Sequence, residues 1–401
     1  MRQSLVYWPA ANVQEIALAR QAAEEWNRLH PELPVKVQPI PESQSTEEVL
    51  LAAVVGKTTP DICSNIWPGI VGQLVRAGAV IPLDQFADFD SVITARLPEA
   101  QIEPYRYQDG RFYQMPWKTN PIMLEYNVSM LKAAGFDRPP ATYSEFFAVA
   151  EQITRDLDGD GDNDRWMMAV DINVKWWLRY FDFYTFYIAA SKGETLIRDR
   201  KVCFENQAAV EVFRFFQEGF RRGYFPKAHF QQDPFLAGLV AVHVTGPWNI
   251  DHLNRYKPEG FEFDYAPIPV PDGHEGPVMT YGDPKNIAIF TTCRNPKAAW
   301  QFVKLLVSKK QDLMLLQLAS QIPIRRDMFE DVDFAAFFAA HPKLERFALQ
   351  APFTRGVDPD PELREIFDAI SQEFEACCIL GRRSPEEAVR RAAERAREIL
   401  Q

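Results

Sequence analysis

Short apolar strands alternate with amphipathic helices along the first 80 residues. Leu5-Val6-Tyr7-Trp8 reads as a strand. From Val13 to His30 the apolar residues Ile16, Ala19, Ala23, Trp26 and Leu29 recur at helical spacing, and the stripe stops at Pro31. Val35 and Val37 alternate with polar neighbours, as a second strand does. Ser45-Thr46-Glu47-Glu48 forms a capping box in which Ser45 accepts the amide of Glu48 and Glu48 reaches back. It predicts a helix ending at Gly56, and Asp61-Ile62-Cys63 then forms a third strand. This order implies a parallel sheet with right-handed crossovers.

The same vocabulary recurs after Gly110. Pro121 to Val128 reads as a strand and Ser129 to Ala134 as a short helix closed by Gly135. Thr142-Tyr143-Ser144-Glu145 is a second capping box, Asn206 caps another helix, and Ser384 opens a last amphipathic one. Asn295-Pro296 opens a helix with proline at its favoured first position. Val240 to Val244 and Phe263 to Ala266 look like strands. In the run WWLRYFDFYTFY, Trp176, Tyr180, Phe183 and Tyr187 follow helical spacing and are expected in a core. The pattern is two α/β units, without a short-period repeat.

At 401 residues the chain is long enough for two or three domains. Its 47% hydrophobic and 25% charged residues exclude global disorder. With 44 basic and 55 acidic residues the net charge is −11, which argues against nucleic acid as a partner. Nine tryptophans fit a cleft that grips a flat-faced ligand such as a sugar. No apolar run approaches the roughly 18–20 residues needed to cross a bilayer. Met1 and Arg2 lead directly into the first strand with no secretory leader, consistent with a cytoplasmic protein or with a mature exported form. The five cysteines form no CxxC pair and are expected to be mostly buried free thiols.

Residues 109–154 read DGRFYQMPWKTNPIMLEYNVSMLKAAGFDRPPATYSEFFAVAEQIT. Gly110, Arg111, Tyr113, Met115, Pro116, Tyr126, Asn127, Ala134, Gly135, Thr142, Tyr143, Glu145 and Phe146 in this stretch resemble the middle of bacterial extracellular solute-binding proteins, the carbohydrate receptors of ABC importers. Thr59 to Ile62, Gly78 to Asp84, Gly246-Pro247-Trp248, Asn295 to Leu306 and Ile322 to Arg325 match further family segments in order. The resemblance implies an α/β, two-lobe periplasmic-binding-protein fold (type II-like). Each lobe would be a central sheet flanked by helices, with the lobes joined by crossing hinge strands near Thr119 to Ile122 and Met279 to Asp283. The expected N-terminal lobe is 1–119 and 283–325; the C-terminal lobe is 120–282 and 326–401. Solute would sit in the cleft and favour hinge closure. The implied protein is a monomeric, periplasmic or cell-surface receptor, its leader removed, that delivers carbohydrate to a membrane ABC permease.

Candidate ligand contacts follow from strand ends and crossings. Trp248 follows a strand through a Gly-Pro turn, and an indole face packs against the C–H face of a sugar. Trp67, with Asn65 and Ser64 beside it, stands just past the third strand, and either Tyr7 or Trp8 is expected to face the cleft. Trp177 lies off the helical stripe, while Trp117 and Lys118 precede the first crossing. Tyr281, Gly282 and Asp283 fall where the family presents a ligand loop. Arg325 reaches either the cleft or a structural salt bridge, and Glu42 is a further polar candidate. Trp26 and Trp300 lie on helical apolar stripes and belong to the core.

Asp156, Asp158, Asp160, Asp162 and Asp164, with Gly161 at the sixth position, fit an EF-hand-like loop for a structural Ca²⁺. Its twelfth position is Met167, where a bidentate Glu is expected, so the motif is incomplete. Two other readings stay open. A glycoside hydrolase needs two carboxylates about 5–10 Å apart, and the same fold can bind a polyamine, a metal chelate or a glycerophosphodiester.

Overall fold

The computed structural model describes residues 4–41, 46–358 and 360–401, so Glu42 and Ser45 lie outside the described residues. The chain divides into two compact units, Met1–Asn120 with Asp283–Leu344, and Pro121–Gly282 with Glu345–Gln401. Residues 326–344 were expected in the second lobe and belong to the first. The reason lies in the helix Val332–Ala340: Lys309 bridges Asp331 and Asp333 at its start, and the Arg325 guanidinium lies 5.6 Å over the buried Phe334 ring.

The strands of the two main sheets are β1 (Leu5–Trp8), β2 (Val35–Val37), β3 (Ile62–Ile66), β4 (Met115–Thr119), β5 (Met123–Asn127), β6 (Trp166–Met168), β7 (Val240–Thr245), β8 (Phe263–Ala266), β9 (Lys285–Ile289) and β10 (Ile322–Pro323). Among the described residues, the first unit holds the sheet β10-β4-β9-β3-β1-β2. β1 runs parallel to β2 and β3, as strand-helix-strand order requires. β9 enters antiparallel between β3 and β4, and β10 antiparallel beside β4. The carboxyl ends of β1, β3 and β4 therefore share one edge with the amino ends of β9 and β10. Lys118 there stands opposite Lys285, and Thr119 opposite Ile322.

β3 runs to Ile66, past the expected end at Cys63. The polar Ser64 is carried inside because its Oγ shares a 2.7 Å hydrogen bond with the Tyr7 hydroxyl. The helix Val13–Leu29 starts where Asn12 accepts the amide of Glu15 at 2.8 Å. Its Trp26 packs edge-on against Phe302, which meets Tyr7 the same way, and Trp300 stacks on Phe86. Burying each such ring stabilises by about 1.5–3 kcal/mol.

The second unit's main sheet is β8-β5-β7-β6, with β5 antiparallel to both neighbours and β6 parallel to β7. The helices Phe183–Ala190 and Gln207–Arg221 supply an aromatic core in which Phe186 stacks on Phe215 and Phe216 meets Phe374. A Cβ on Gly219 would stand 2.1 Å from the Phe225 ring, so only glycine lets that ring close over the helix. The expected single stripe from Trp176 to Tyr187 is two segments, a 3-10 turn Trp176–Tyr180 and the helix Phe183–Ala190. Asp182 makes the break, accepting the amide of Phe183. All four stripe residues are nonetheless buried. The helix caps form locally: Thr142 accepts from Glu145, Asn206 from Ala209 and Ser384 from Glu387.

All five cysteines are free thiols, three of them buried. Among the described residues, no helix is long and apolar enough to cross a membrane.

Candidate functional site

In the second unit the parallel strands β6 and β7 end side by side, and a cavity of about 340 Å³ opens at that edge. Such an edge is where open α/β sheets bind ligands. Trp248 lines it and is half-buried. Its indole folds back over Gly246, where a Cβ would come within 2.2 Å of the ring. The Phe181 ring stands perpendicular to it at 6.3 Å, forming an aromatic corner. Next in the chain, Asn249 donates to both oxygens of Glu125 at 2.9 and 3.1 Å. Glu125 is fully buried and also accepts the Tyr265 hydroxyl at 2.6 Å, so the turn carrying Trp248 is tied to the sheet.

Two carboxylates line the cavity, Asp171 and Asp182. Asp182 pairs with the buried Arg179 at 2.9 Å, while Arg179 donates to the Asp171 carbonyl and lies over Phe374. Burial lifts the Asp182 pKa to about 6 despite the neighbouring guanidinium. Phe181 and Asp182 are not legible as site residues in the sequence, because the aromatic run that holds them has the look of a structural core. The available signal was an acid in the middle of that run, which an uninterrupted core helix does not carry.

Other second-unit candidates separate. Trp177 is half-buried against Trp176 and under the Lys175 ammonium, and does not line this cavity. Tyr281 is corrected to the core: it is 1% exposed and packed by Tyr180, Phe181 and Tyr184. Gly282 is buried, its amide donating to the Arg355 carbonyl.

In the first unit, the shared sheet edge gathers Trp8, Asn65, Lys118, Asp283 and Lys285. Lys118 and Glu15 form a buried ion pair at 2.6 Å. Burial alone would raise the Glu15 carboxyl, but the Lys118 ammonium and its hydrogen bond hold it below the usual range. Asp283 adopts φ +35°, an unusual backbone for a non-glycine residue, and bonds Lys285 at 3.3 Å.

Three first-unit candidates are corrected. Tyr7 and Trp117 lie in the core, at 1% and 2% exposure, because their places in β1 and β4 turn them toward the helices that cover the sheet. Arg325 takes its structural alternative, bonding Asp312, which also pairs with Arg96. Trp67 is buried with its indole packed on Gly69, where a Cβ would meet the ring at 2.1 Å. Glu42 lies outside the described residues.

In the acidic loop, Asp156, Asp158 and Asp164 each bring a carboxylate oxygen within 4.8 Å of the others. Asp156 accepts the amides of Gly159 and Gly161, which wraps the loop around it, and Asp158 and Asp160 accept the amides of Asp160 and Asp162. An all-carboxylate donor set fits a hard cation such as Ca²⁺. Met167, at the twelfth position, is buried in β6 and offers no ligand.

The profile of the bacterial extracellular solute-binding protein family matches residues 21–345. The maltotriose-binding protein of Pyrococcus abyssi is 26% identical over 336 residues, covering 82% of this chain and 68% of its own. An uncharacterised protein of Listeria monocytogenes superposes with TM-score 0.86 at 27% identity over 100% of both chains. The cyclic α-maltosyl-1,6-maltose binding protein of Arthrobacter globiformis shares the fold, with TM-score 0.83 at 18% identity over 100% of this chain and 99% of that one.

Proposed function

Because the chain belongs to the bacterial extracellular solute-binding protein family, we propose that it captures an oligosaccharide and hands it to a membrane ABC permease, with no chemistry of its own. The observation that carries this reading is the Trp248–Phe181 corner at a cavity of about 340 Å³ with Asp171 and Asp182 on its lining. A sugar's C–H face packs on an indole, and its hydroxyls need polar partners. The maltotriose-binding relative supports a carbohydrate solute.

Charge pairing supports a neutral solute over the alternatives. In the first unit Lys118 is matched by Glu15 and Lys285 by Asp283. A polyamine would meet two ammonium groups there, and a glycerophosphodiester two carboxylates. Capture is a hinge motion about the chain crossings, and the receptor is an exported monomer, periplasmic or at the cell surface. A structural Ca²⁺ in the Asp156–Asp164 loop is part of the same reading, held by Asp156, Asp158 and Asp164.

A thermal-shift screen against mono- and oligosaccharides, a polyamine and a glycerophosphodiester, with product analysis of each hit, tests the reading. Stabilisation by a saccharide that is recovered intact supports it. Cleavage of a glycosidic bond overturns it in favour of the hydrolase.

A further inference from the structure

Asn286 Oδ1 in β9 is a buried polar atom without a hydrogen-bond partner, and toward the same sheet edge of the first unit so are Trp8 Nε1 and Glu15 Oε2. Trp8 and Glu15 are 6% and 3% exposed. Native proteins leave few buried donors and acceptors unsatisfied, and each exception calls for an explanation. Here the imbalance is one-sided. Asn12, Lys118 and Gln321 all donate to Glu15 Oε1, at 3.0, 2.6 and 2.9 Å, and nothing donates to Oε2. Trp8 ends β1, and Glu15 stands in the first turn of the helix that follows it. Glu15 lies close enough to bear electrostatically on both Tyr7 and Cys63, the residues beside and across from Trp8.

We propose that Trp8 Nε1 and Glu15 Oε2 are reserved for the solute, the indole donating to a solute oxygen and the carboxylate accepting a solute hydroxyl. The inference rests on the carbohydrate reading and narrows it. The solute presents both a hydroxyl donor and an oxygen acceptor to the first unit, and Glu15 becomes a specificity-determining residue. Lys118 acts as a positioning residue that occupies one carboxylate oxygen and keeps the group ionised, leaving the other oxygen a strong acceptor.

The test takes the full chain and the saccharide among maltose, maltotriose and maltotetraose that raises its melting temperature most. Trp8→Phe keeps an aromatic ring and removes the donor. It should weaken calorimetric affinity about fivefold or more, and the sugar-free melting temperature should fall only as far as the smaller buried ring loses packing. Glu15→Gln should weaken affinity about tenfold or more. Where Glu15→Gln fails to fold because Lys118 loses its counter-ion, the E15Q/K118Q pair replaces it, with the same loss expected. Variants that bind like the wild type overturn the assignment and leave the carbohydrate reading standing. A wild type that none of the three sugars stabilises overturns the assignment, and the failure is then visible without any variant.

Discussion

Trp248 owes its position to a neighbour with no side chain. Any Cβ on Gly246 would collide with the indole, and Asn249 on the other side is held by the buried Glu125. The ring is thus preorganised, which spares ordering cost on binding. Trp248→Ala should lower affinity for the captured saccharide about tenfold or more, while the half-buried site keeps the loss of stability modest. Titration calorimetry together with a sugar-free melt checks both; unchanged affinity would remove Trp248 from the site. Asp182 predicts a pH dependence. Its folded pKa is lifted from 3.8 to about 6, so between those values the folded chain holds a proton that the unfolded chain releases. Its contribution to stability is full below pH 3.8 and is lost as pH rises through about 6. Asp182→Asn should therefore flatten the fall in melting temperature across that window, and the loss of the Arg179 ion pair should lower stability only above about pH 6, where Asp182 is ionised.

Elements divide by whether their determinants are local. The helix Tyr143–Ile153 was legible because Thr142 accepts the amide of Glu145 within the same turn, and the Glu145 carboxylate accepts the amide of Ala141 just ahead of the cap. Thr142→Ala should cost about 1 kcal/mol by denaturant titration, the usual value of such a cap. β4 and β9 were not legible. Met115–Thr119 contains a proline and a lysine, and its partner Lys285–Ile289 arrives from beyond the second crossing. The break at Asp182 was hidden by an aromatic run that satisfies helical spacing and still folds as two segments. The acidic loop is the reverse case, since its spacing is local and three of its five carboxylates converge. If it holds Ca²⁺, EGTA should lower the melting temperature and added Ca²⁺ restore it. A melt insensitive to both would mark a solvated acidic turn.

At the scale of the molecule, each unit is assembled from separated stretches of chain. A chain ending at Gly282 lacks β9 and β10, so the first unit's sheet falls into β4 alone and β3-β1-β2. That truncation should leave the first unit unfolded, read as lost protection in hydrogen exchange over residues 4–120. A native-like first unit in it would contradict the topology. If the proposed saccharide binds, its presence at 100 times its Kd should add about 2.7 kcal/mol to the stability of the folded chain, a rise visible in calorimetry.

By itself the sequence determined what depends on neighbours a few residues away: the helices and their caps, the parallel β1–β3 unit, the acidic loop, and the turn that carries Trp248. The ordered family segments extended this to the fold. Tertiary structure decided which side chains at the ligand edges are available. Tyr7, Trp117, Tyr281 and Arg325 were plausible contacts by position in the chain, yet three are buried in cores and one is bonded to Asp312. Glu15 drew no notice on an amphipathic helix, and it became a candidate only where Lys118 and Gln321 crowded one of its oxygens and left the other bare. The physical reason is that the cost of a polar atom depends on its burial and its partners, and here those partners come from β4 and from the segment just ahead of β10, 103 and 306 residues away.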